Sequence, residues 1–258
     1  MDEFNRTEVF YSIVNNDYDK FMKELEFLTD INMVDINGMS LLHFCGEYSN
    51  LKFAKNLIEK GINVDLKDNY GNNALWKATF NSRGNYELVE LLIENESNPN
   101  SKNNANKSPL DLALSFGDER LIGLLSEPEY KYHADWEQLA DLFNYKIDRH
   151  DQDWTYTISE PERIEDYLDA YTNIENIEAK YSLLEMIIQS VNDQTDKEFD
   201  KYWNRLVPFL DIDFELNKPT IYYWCDWMND NLENCFEVSD KMRKYWISKI
   251  KEKCYNNV

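Results

Sequence analysis

Histidine, cysteine and the carboxylates are the side chains here that could do chemistry, and the chain offers 3 His, 4 Cys and 49 Asp or Glu in 258 residues. His150-Asp151-Gln-Asp153 sets an imidazole beside two carboxylates, as an acid–base pair or a metal centre would require. A metal needs several ligands converging at defined spacing, and no second histidine stands at such a distance; His133 lies across an acidic stretch. No glycine-rich loop is present to cradle a phosphate. Cys45, Cys225, Cys235 and Cys254 show no close-paired metal spacing, and Cys225 and Cys235 have no histidine near them. They read as reduced, mostly structural thiols of a cytoplasmic protein. The carboxylates fall largely on the polar faces of amphipathic helices, where water solvates them. These residues predict no catalytic site, no metal, no cofactor and no enzyme.

Binding chemistry is better supplied. Aromatic residues make up 14% of the chain while the net charge is −22. Divided near Glu127, the chain holds about 12 basic and 21 acidic residues before that point and about 15 and 28 after it. A field of this sign repels nucleic acid and anionic membrane and speeds encounter with basic proteins, so the expected partner is a protein. No basic patch with interleaved aromatics suggests nucleic acid. The start, Met1-Asp-Glu-Phe-Asn-Arg-Thr-Glu8, has no basic region followed by an apolar core, and no apolar run nears the roughly 20 residues that span a bilayer. An apolar fraction of 43% with only 7 Gly and 6 Pro predicts a folded, helix-rich chain.

The elements that must carry these residues announce themselves by repetition. Asp35-Ile-Asn-Gly38-Met-Ser-Leu-Leu-His43 returns as Asp68-Asn-Tyr-Gly71-Asn-Asn-Ala-Leu-Trp76, an offset of 33 residues (71 − 38). A third copy reads Asn106-Lys-Ser-Pro-Leu-Asp111, with Asn106 in the glycine's place, since Asn visits the left-handed region more readily than most residues. Leu110 follows Leu75 by 35 residues (110 − 75), and the two extra residues are expected at Asn81-Ser-Arg-Gly84, between two helices. Within the first copy Gly38 allows a turn with positive φ, Ser40 can cap a helix beginning at Leu41, and Gly61 can end the outer helix Leu51–Ile58. Thr7–Leu28 has the helical rhythm of a pair, with apolar stripes Val9, Phe10, Ile13, Val14 and Phe21, Met22, Leu25, Leu28. It is read as an N-terminal cap lacking the opening Asp-x-x-Gly.

Over about Thr7–Glu127 this pattern resembles the ankyrin repeats, whose Gly-x-Thr-Pro-Leu-His core these copies follow. The resemblance implies stacked helix–turn–helix units that bury their apolar faces only together. It implies that His43 braces its turn by hydrogen bonding. It also implies that partners meet the hairpin tips and the concave inner-helix face. Carried onto this sequence, that surface comprises Ile36, Asn37, Met39, Glu47 and Tyr48, then Asn69, Tyr70, Asn72, Phe80 and Asn81, then Ala105, Lys107 and Phe116. Tyr48, Tyr70, Phe80 and Phe116 are expected to form one aromatic row, and aromatic anchors concentrate binding energy.

Beyond Glu127 the period is gone. Trp136–Phe143, Ile164–Tyr171, Tyr181–Val191, Phe199–Leu210, Pro219–Met228 and Val238–Ile250 carry apolar residues at helical spacing, and Ser159-Glu-Pro-Glu162 reads as a helix start. The expected fold is therefore all-α: an ankyrin-repeat solenoid of a cap and about three repeats over 1–127, then an acidic helical bundle over 128–258. A second expected binding surface lies at Asp148–Asp169, where Asp151, Asp153, Glu162 and Glu165 surround Trp154 and Tyr156. The segments Tyr167–Tyr171 and Ala179–Ser190 are similar to helical pairs of immunity proteins from bacterial polymorphic toxin loci. Two functions are consistent with this reading: an immunity protein that occludes the active site of a basic toxin or nuclease domain, or an ankyrin scaffold or adaptor binding a cytosolic protein through its groove.

Overall fold

The computed structural model describes residues 2–128, 135–146, 154–229 and 231–256, with side chains as far as 253. They form helices and tight turns, and the chain divides into two compact units, Met1–Ser126 and Glu127–Lys253. Among the described residues the one pairing of extended backbone is a single bridge between Val34 and Ser40. His133, Asp148, His150, Asp151, Asp153 and the Cys254 side chain, all named above, lie outside the described residues.

The first unit consists of four helix pairs: α1 (Glu8–Val14) with α2 (Tyr18–Glu26), α3 (Leu41–Tyr48) with α4 (Leu51–Glu59), α5 (Ala74–Asn81) with α6 (Glu87–Glu94), and α7 (Pro109–Phe116) with α8 (Glu119–Leu125). The first helices of successive pairs pack on one another, as α1 on α3, α3 on α5 and α5 on α7; the second helices do the same from α4 to α6 to α8. Helices this short are marginal alone, so it is the apolar faces closed between neighbours that hold them. Phe10, Leu41, Leu42, Leu57, Leu75, Leu92 and Leu121 are buried there, each worth about 1.5–3 kcal/mol relative to exposure.

Each pair is introduced by the same hairpin. Asp35 Oδ1 accepts the backbone N–H of Asn37 and of Met39 (both 2.9 Å), and Asp68 Oδ1 accepts those of Tyr70 (2.9 Å) and Asn72 (2.8 Å). In the worn copy Asn103 Oδ1 does the same for Ala105 (3.0 Å) and Lys107 (2.9 Å), because an amide oxygen accepts as a carboxylate oxygen does. The turn position has positive φ at Gly38 (74°), Gly71 (80°) and Asn106 (59°). Neighbouring hairpins are joined along their tips, Asn69 N–H donating to Asn37 O (2.8 Å) and Asn104 N–H to Tyr70 O (2.9 Å).

The first pair departs from the expectation of a cap without a hairpin. Asp2 Oδ1 accepts the N–H of Phe4 and Arg6 (both 2.9 Å), Asp2 N–H donates to Arg6 O (3.0 Å), and Asn5 takes φ 60°. Ile36 N–H donates to Phe4 O (2.9 Å), which continues the tip-to-tip ladder. Asp2-x-x-Asn5 is thus a complete hairpin, and Asn5 precedes Gly38 by the same 33 residues (38 − 5). Arg6 then reaches the buried Asp35 with Nε (3.0 Å) and Nη2 (2.7 Å), tying the first pair to the second hairpin. The longer second repeat has its extra residues in Ser82–Tyr86, between α5 and α6, where Arg83 and Gly84 take positive φ.

The second unit contains α9 (Glu137–Phe143), α10 (Trp154–Thr157), α11 (Ile164–Asn173), α12 (Ile177–Asn192), α13 (Asp196–Ile212), α14 (Phe214–Cys225) and α15 (Ser239–Asn256). α12 is its centre, packed by α9, α10, α11, α13 and α14. That explains its near-continuous apolar run: Tyr181, Leu183, Leu184, Met186, Ile187, Ile188 and Val191 are all buried. Two expected boundaries are corrected. Ser159 does not cap a helix; its Oγ donates back to Thr155 O, and the chain enters α11 through a 3-10 turn at Pro161–Arg163. Pro219 does not open its helix either but lies inside α14, which begins directly after α13 at Phe214. There Asp213 is held by Lys180 (2.6 Å) and the Tyr171 hydroxyl (3.3 Å), which fixes the junction.

Candidate protein-binding site

Three aromatic side chains emerge at equivalent ends of successive first helices. Tyr48 closes α3, Phe80 lies one residue before the end of α5, and Phe116 closes α7; they are 45%, 53% and 49% exposed. Each is backed by a ring or a neighbour: Tyr48 stacks on the buried Phe44 (6.4 Å), Phe80 lies nearly parallel to Trp76 (5.5 Å, 7°), and Phe80 meets Phe116 (6.3 Å). A side chain held this way loses little freedom when a partner covers it. Polar groups sit between the rings. Lys77 bridges to Glu47 (3.3 Å), Ser49 Oγ donates to Asn81 O (3.4 Å), and Asn81 Nδ2 donates to Lys77 O (2.9 Å). Glu47, Tyr48, Phe80, Asn81 and Phe116 therefore share one edge of the repeat stack.

Tyr70 does not join that row. It is exposed on the second hairpin tip, at the opposite end of α5 from Phe80, and an eight-residue helix separates its two ends by about 12 Å. Ile36 is its exposed counterpart on the preceding tip. Asn69 is engaged in the fold: its Nδ2 donates to Ile36 O (3.0 Å), and its Oδ1 lies over Gly38, 2.7 Å from where a Cβ would stand. Met39 and Asn72, expected on the surface, are buried. Asn72 O takes the His43 Nε2–H (2.8 Å) while His43 Nδ1 accepts the Ser40 N–H (3.1 Å), which assigns the ring's proton to Nε2. His43 thus links one hairpin to the next, and burial pulls its pKa below the ordinary value.

The acidic surface expected at Asp148–Asp169 is different in character from the one described. Trp154 is buried, stacked on Trp136 (6.0 Å), and donates its Nε1–H to Lys146 O (3.0 Å). Tyr156 packs against Tyr223 (6.0 Å) and Trp224 (5.7 Å). Trp154, buried where α10 lies on α12, cannot serve as an exposed anchor, and Tyr156 is half-buried. Glu162 is exposed on the 3-10 turn, whereas Glu165 pairs with Arg205 and Asp166 with Arg163 (3.2 Å). Arg163 is also the hub of an aromatic box formed by Phe143, Tyr145 and Tyr167, and donates to Phe143 O (3.2 Å) at the end of α9.

One titratable group that the sequence did not single out is Glu185, on α12. It accepts from Thr155 Oγ1 (3.0 Å) and from the Tyr156 hydroxyl, and burial pushes its pKa up to about 7. Cys45 and Cys225 are buried free thiols, pushed well above their ordinary pKa by desolvation. Among the described residues no group of three His, Cys, Asp or Glu side chains is placed to hold a metal ion, and no helix is long and apolar enough to cross a membrane.

Comparison with known proteins identifies the repeats. Residues 9–103 match the family model for ankyrin repeats in three copies. The chain is 32% identical over 134 residues to an ankyrin repeat protein of Fowlpox virus (strain NVSL), covering 51% of this chain and 29% of that protein. An ankyrin repeat protein of Vaccinia virus (strain Copenhagen) is 29% identical over 68 residues, 26% of this chain and 45% of its own length. An ankyrin repeat domain-containing protein of Monkeypox virus is 36% identical over 69 residues, 27% of this chain and 10% of its own length. The chain thus spans less than half of each of these relatives. Its N-terminal region consists of ankyrin repeats, a module that signals protein–protein interaction, and further helices follow.

Proposed function

We propose that this protein is a scaffold or adaptor that binds a protein partner through its ankyrin repeats, with Tyr48, Phe80 and Phe116 as the anchors. The observation that carries the reading is their recurrence, half-exposed, at equivalent ends of three successive first helices, with Tyr48 and Phe80 each stacked on a ring of its own helix and Phe116 against Phe80. Rings of this kind supply large contact area with little loss of freedom and dominate interface energetics. Glu47, Lys77 and Asn81 would form the polar rim, and the hairpin-tip residues Ile36 and Tyr70 a second, separate edge. The relatives are ankyrin repeat proteins by name, which favours the adaptor over the immunity protein. The immunity reading also relied on Trp154 and Tyr156 as surface anchors, and Trp154 is buried while Tyr156 is half-buried against Tyr223 and Trp224.

The test is a partner isolated by co-purification, then titrated against wild type and variants. Phe80→Ala should weaken binding by about tenfold or more, and Phe116→Ala and Tyr48→Ala should act in the same direction, with the thermal midpoint unchanged. Ile36→Ala with Tyr70→Ala asks the same of the hairpin tips. Full affinity in the Tyr48, Phe80, Phe116 triple variant would overturn the assignment.

A further inference from the structure

The second repeat differs from its neighbours in the connection between its two helices. Between α3 and α4 that connection is Ser49–Asn50, and between α7 and α8 it is Gly117–Asp118; between α5 and α6 it is Ser82–Tyr86. The added length forms a tight turn. Asn85 N–H donates to Ser82 O (2.8 Å), and both central residues have positive φ, Arg83 at 46° and Gly84 at 87°. That is the pattern of a type I′ turn, whose first central position suits Asn, Asp or Gly. Its base is fixed on both sides, Ser82 Oγ donating to Thr79 O (3.1 Å) and Asn85 Oδ1 accepting the Glu87 N–H (3.2 Å). Arg83 and Gly84 are exposed, and a Cβ added at Gly84 would meet nothing within 4 Å beyond its chain neighbours, so the tip stands clear of the fold.

Arginine suits this position poorly unless its side chain is used. A left-handed backbone is strained for a residue with a Cβ, glycine would relieve it, and strain of this kind gathers at functional sites. The chain carries 49 Asp and Glu residues, and the other described arginines are each engaged: Arg6 by Asp35, Arg120 by Glu90, Arg163 by Asp166, Arg205 by Glu165 and Arg243 by the Cys225 carbonyl. Among the described residues none forms an ion pair or hydrogen bond with the Arg83 guanidinium. Arg83 follows Phe80 by three residues, at the end of α5 that carries the aromatic edge. Its Cα is therefore within about 11 Å of that of Phe80. Lys77, one turn before Phe80 on the same helix, is instead held by Glu47 (3.3 Å) and Asp68 (4.0 Å).

We infer that Arg83 sets the specificity of the aromatic edge: it pairs with an Asp or Glu carboxylate of the partner segment whose apolar side chains cover Phe80 and Phe116. This rests on that edge being the partner's seat. A guanidinium binds a carboxylate through two parallel N–H bonds, which fixes the register of a segment that rings alone would hold in several. The net charge of −22 favours a carboxylate over a phosphorylated side chain, which would bring a larger negative charge into the same field. The same field favours a partner that is basic overall, with the carboxylate as a local marker by which wrong partners are rejected.

The probe comes from a random peptide library displayed on phage and panned on the full chain. Selected peptides are synthesised with a fluorophore and titrated by anisotropy. Those that need Phe80, shown by their loss of binding to Phe80→Ala, should carry an Asp or Glu. Arg83→Gly should weaken them by about tenfold or more, while the thermal midpoint holds or rises because glycine relieves the turn. Changing the peptide's acid to its amide should weaken binding to wild type and leave binding to Arg83→Gly unaffected. Lys60→Gln, which removes one positive charge elsewhere in the repeats, should bind as wild type does. If Phe80-dependent peptides bind Arg83→Gly as tightly as wild type, or lose as much in Lys60→Gln, the edge stands and the role of Arg83 is overturned. A lower midpoint in Arg83→Gly would assign the side chain to the fold and overturn it as well. If panning yields no peptide that needs Phe80, the role of Arg83 falls together with the edge.

Discussion

A carboxyl group enclosed by hydroxyls rather than cations is caught between charge and burial. Glu185 is in that position, with Thr155 and Tyr156 as its hydrogen-bonding neighbours and a pKa raised from 4.5 to about 7. The folded protein therefore binds a proton that the unfolded chain gives up, and stability falls as pH rises from about 4.5 through 7. Glu185→Gln removes the charge with little change of shape. It should raise stability on the order of 2 kcal/mol at pH 8 and leave it unchanged near pH 4, measured by urea unfolding at both pH values. His43 contributes the opposite slope: with its folded pKa below 6.5, its stabilising bonds are complete above that pH and lost as pH falls towards the folded value. Neither environment is visible in the sequence. His43's bracing role followed from its place in the repeat motif, but the setting of Glu185 and the burial of Trp154 depend on α10 lying against α12, a contact between segments about 30 residues apart that local pattern does not specify.

The hairpin is the element that reads most directly from residue types, since a carboxylate or amide that accepts two N–H groups and a turn residue with positive φ define it. Gly38 and Gly71 carry a second requirement, because the next hairpin's Asn69 or Asn104 places Oδ1 2.7 Å from the position of an added Cβ. Gly38→Ala should therefore destabilise the repeats by roughly 2 kcal/mol or more, combining left-handed strain with the clash, as read from the denaturant midpoint of the first unit. The same definition exposes why the first hairpin escaped notice: Asp2-x-x-Asn5 keeps the spacing but lacks the glycine, and the Asn103-x-x-Asn106 copy, equally glycine-free, shows that this substitution preserves the turn. In the helical unit the periodic stripes of α11, α12 and α13 were legible, whereas the start of α14 was not, because a proline at Pro219 ordinarily marks a first turn and here lies inside the helix. The loop after α14 was invisible for another reason. Arg243, from within α15, donates there to the main-chain carbonyls of Cys225 and Asn229, which no side-chain pattern encodes.

At the scale of the whole molecule, acidity and aromatic residues are distributed differently. Both units are acidic, yet much of the charge is paired locally, as in Glu165 with Arg205, Asp213 with Lys180 and Asp211 with Lys249. The net charge of −22 is thus better read as a long-range field favouring basic partners than as a single acidic site. The aromatic residues, in contrast, serve both as core and as surface: Phe10, Phe21, Phe44 and Phe53 are buried in the repeats beneath the half-exposed Tyr48, Phe80 and Phe116, and Trp154, Tyr167, Trp224 and Trp246 are buried in the helical unit. Only Trp76 of the seven tryptophans lies in the repeats, so unfolding followed by tryptophan emission should report chiefly the helical unit, and Trp76→Phe should leave most of that signal in place.

The near-parallel contact of Trp76 with Phe80 has an optical consequence. Phe80 is the face of that pair turned to solvent, so a partner seated on it changes the polarity next to one identifiable fluorophore. A shift in emission that appears on partner binding and vanishes in Trp76→Phe would locate the partner on the repeats without any label. A shift that survives the substitution would instead belong to the tryptophans that follow the repeats.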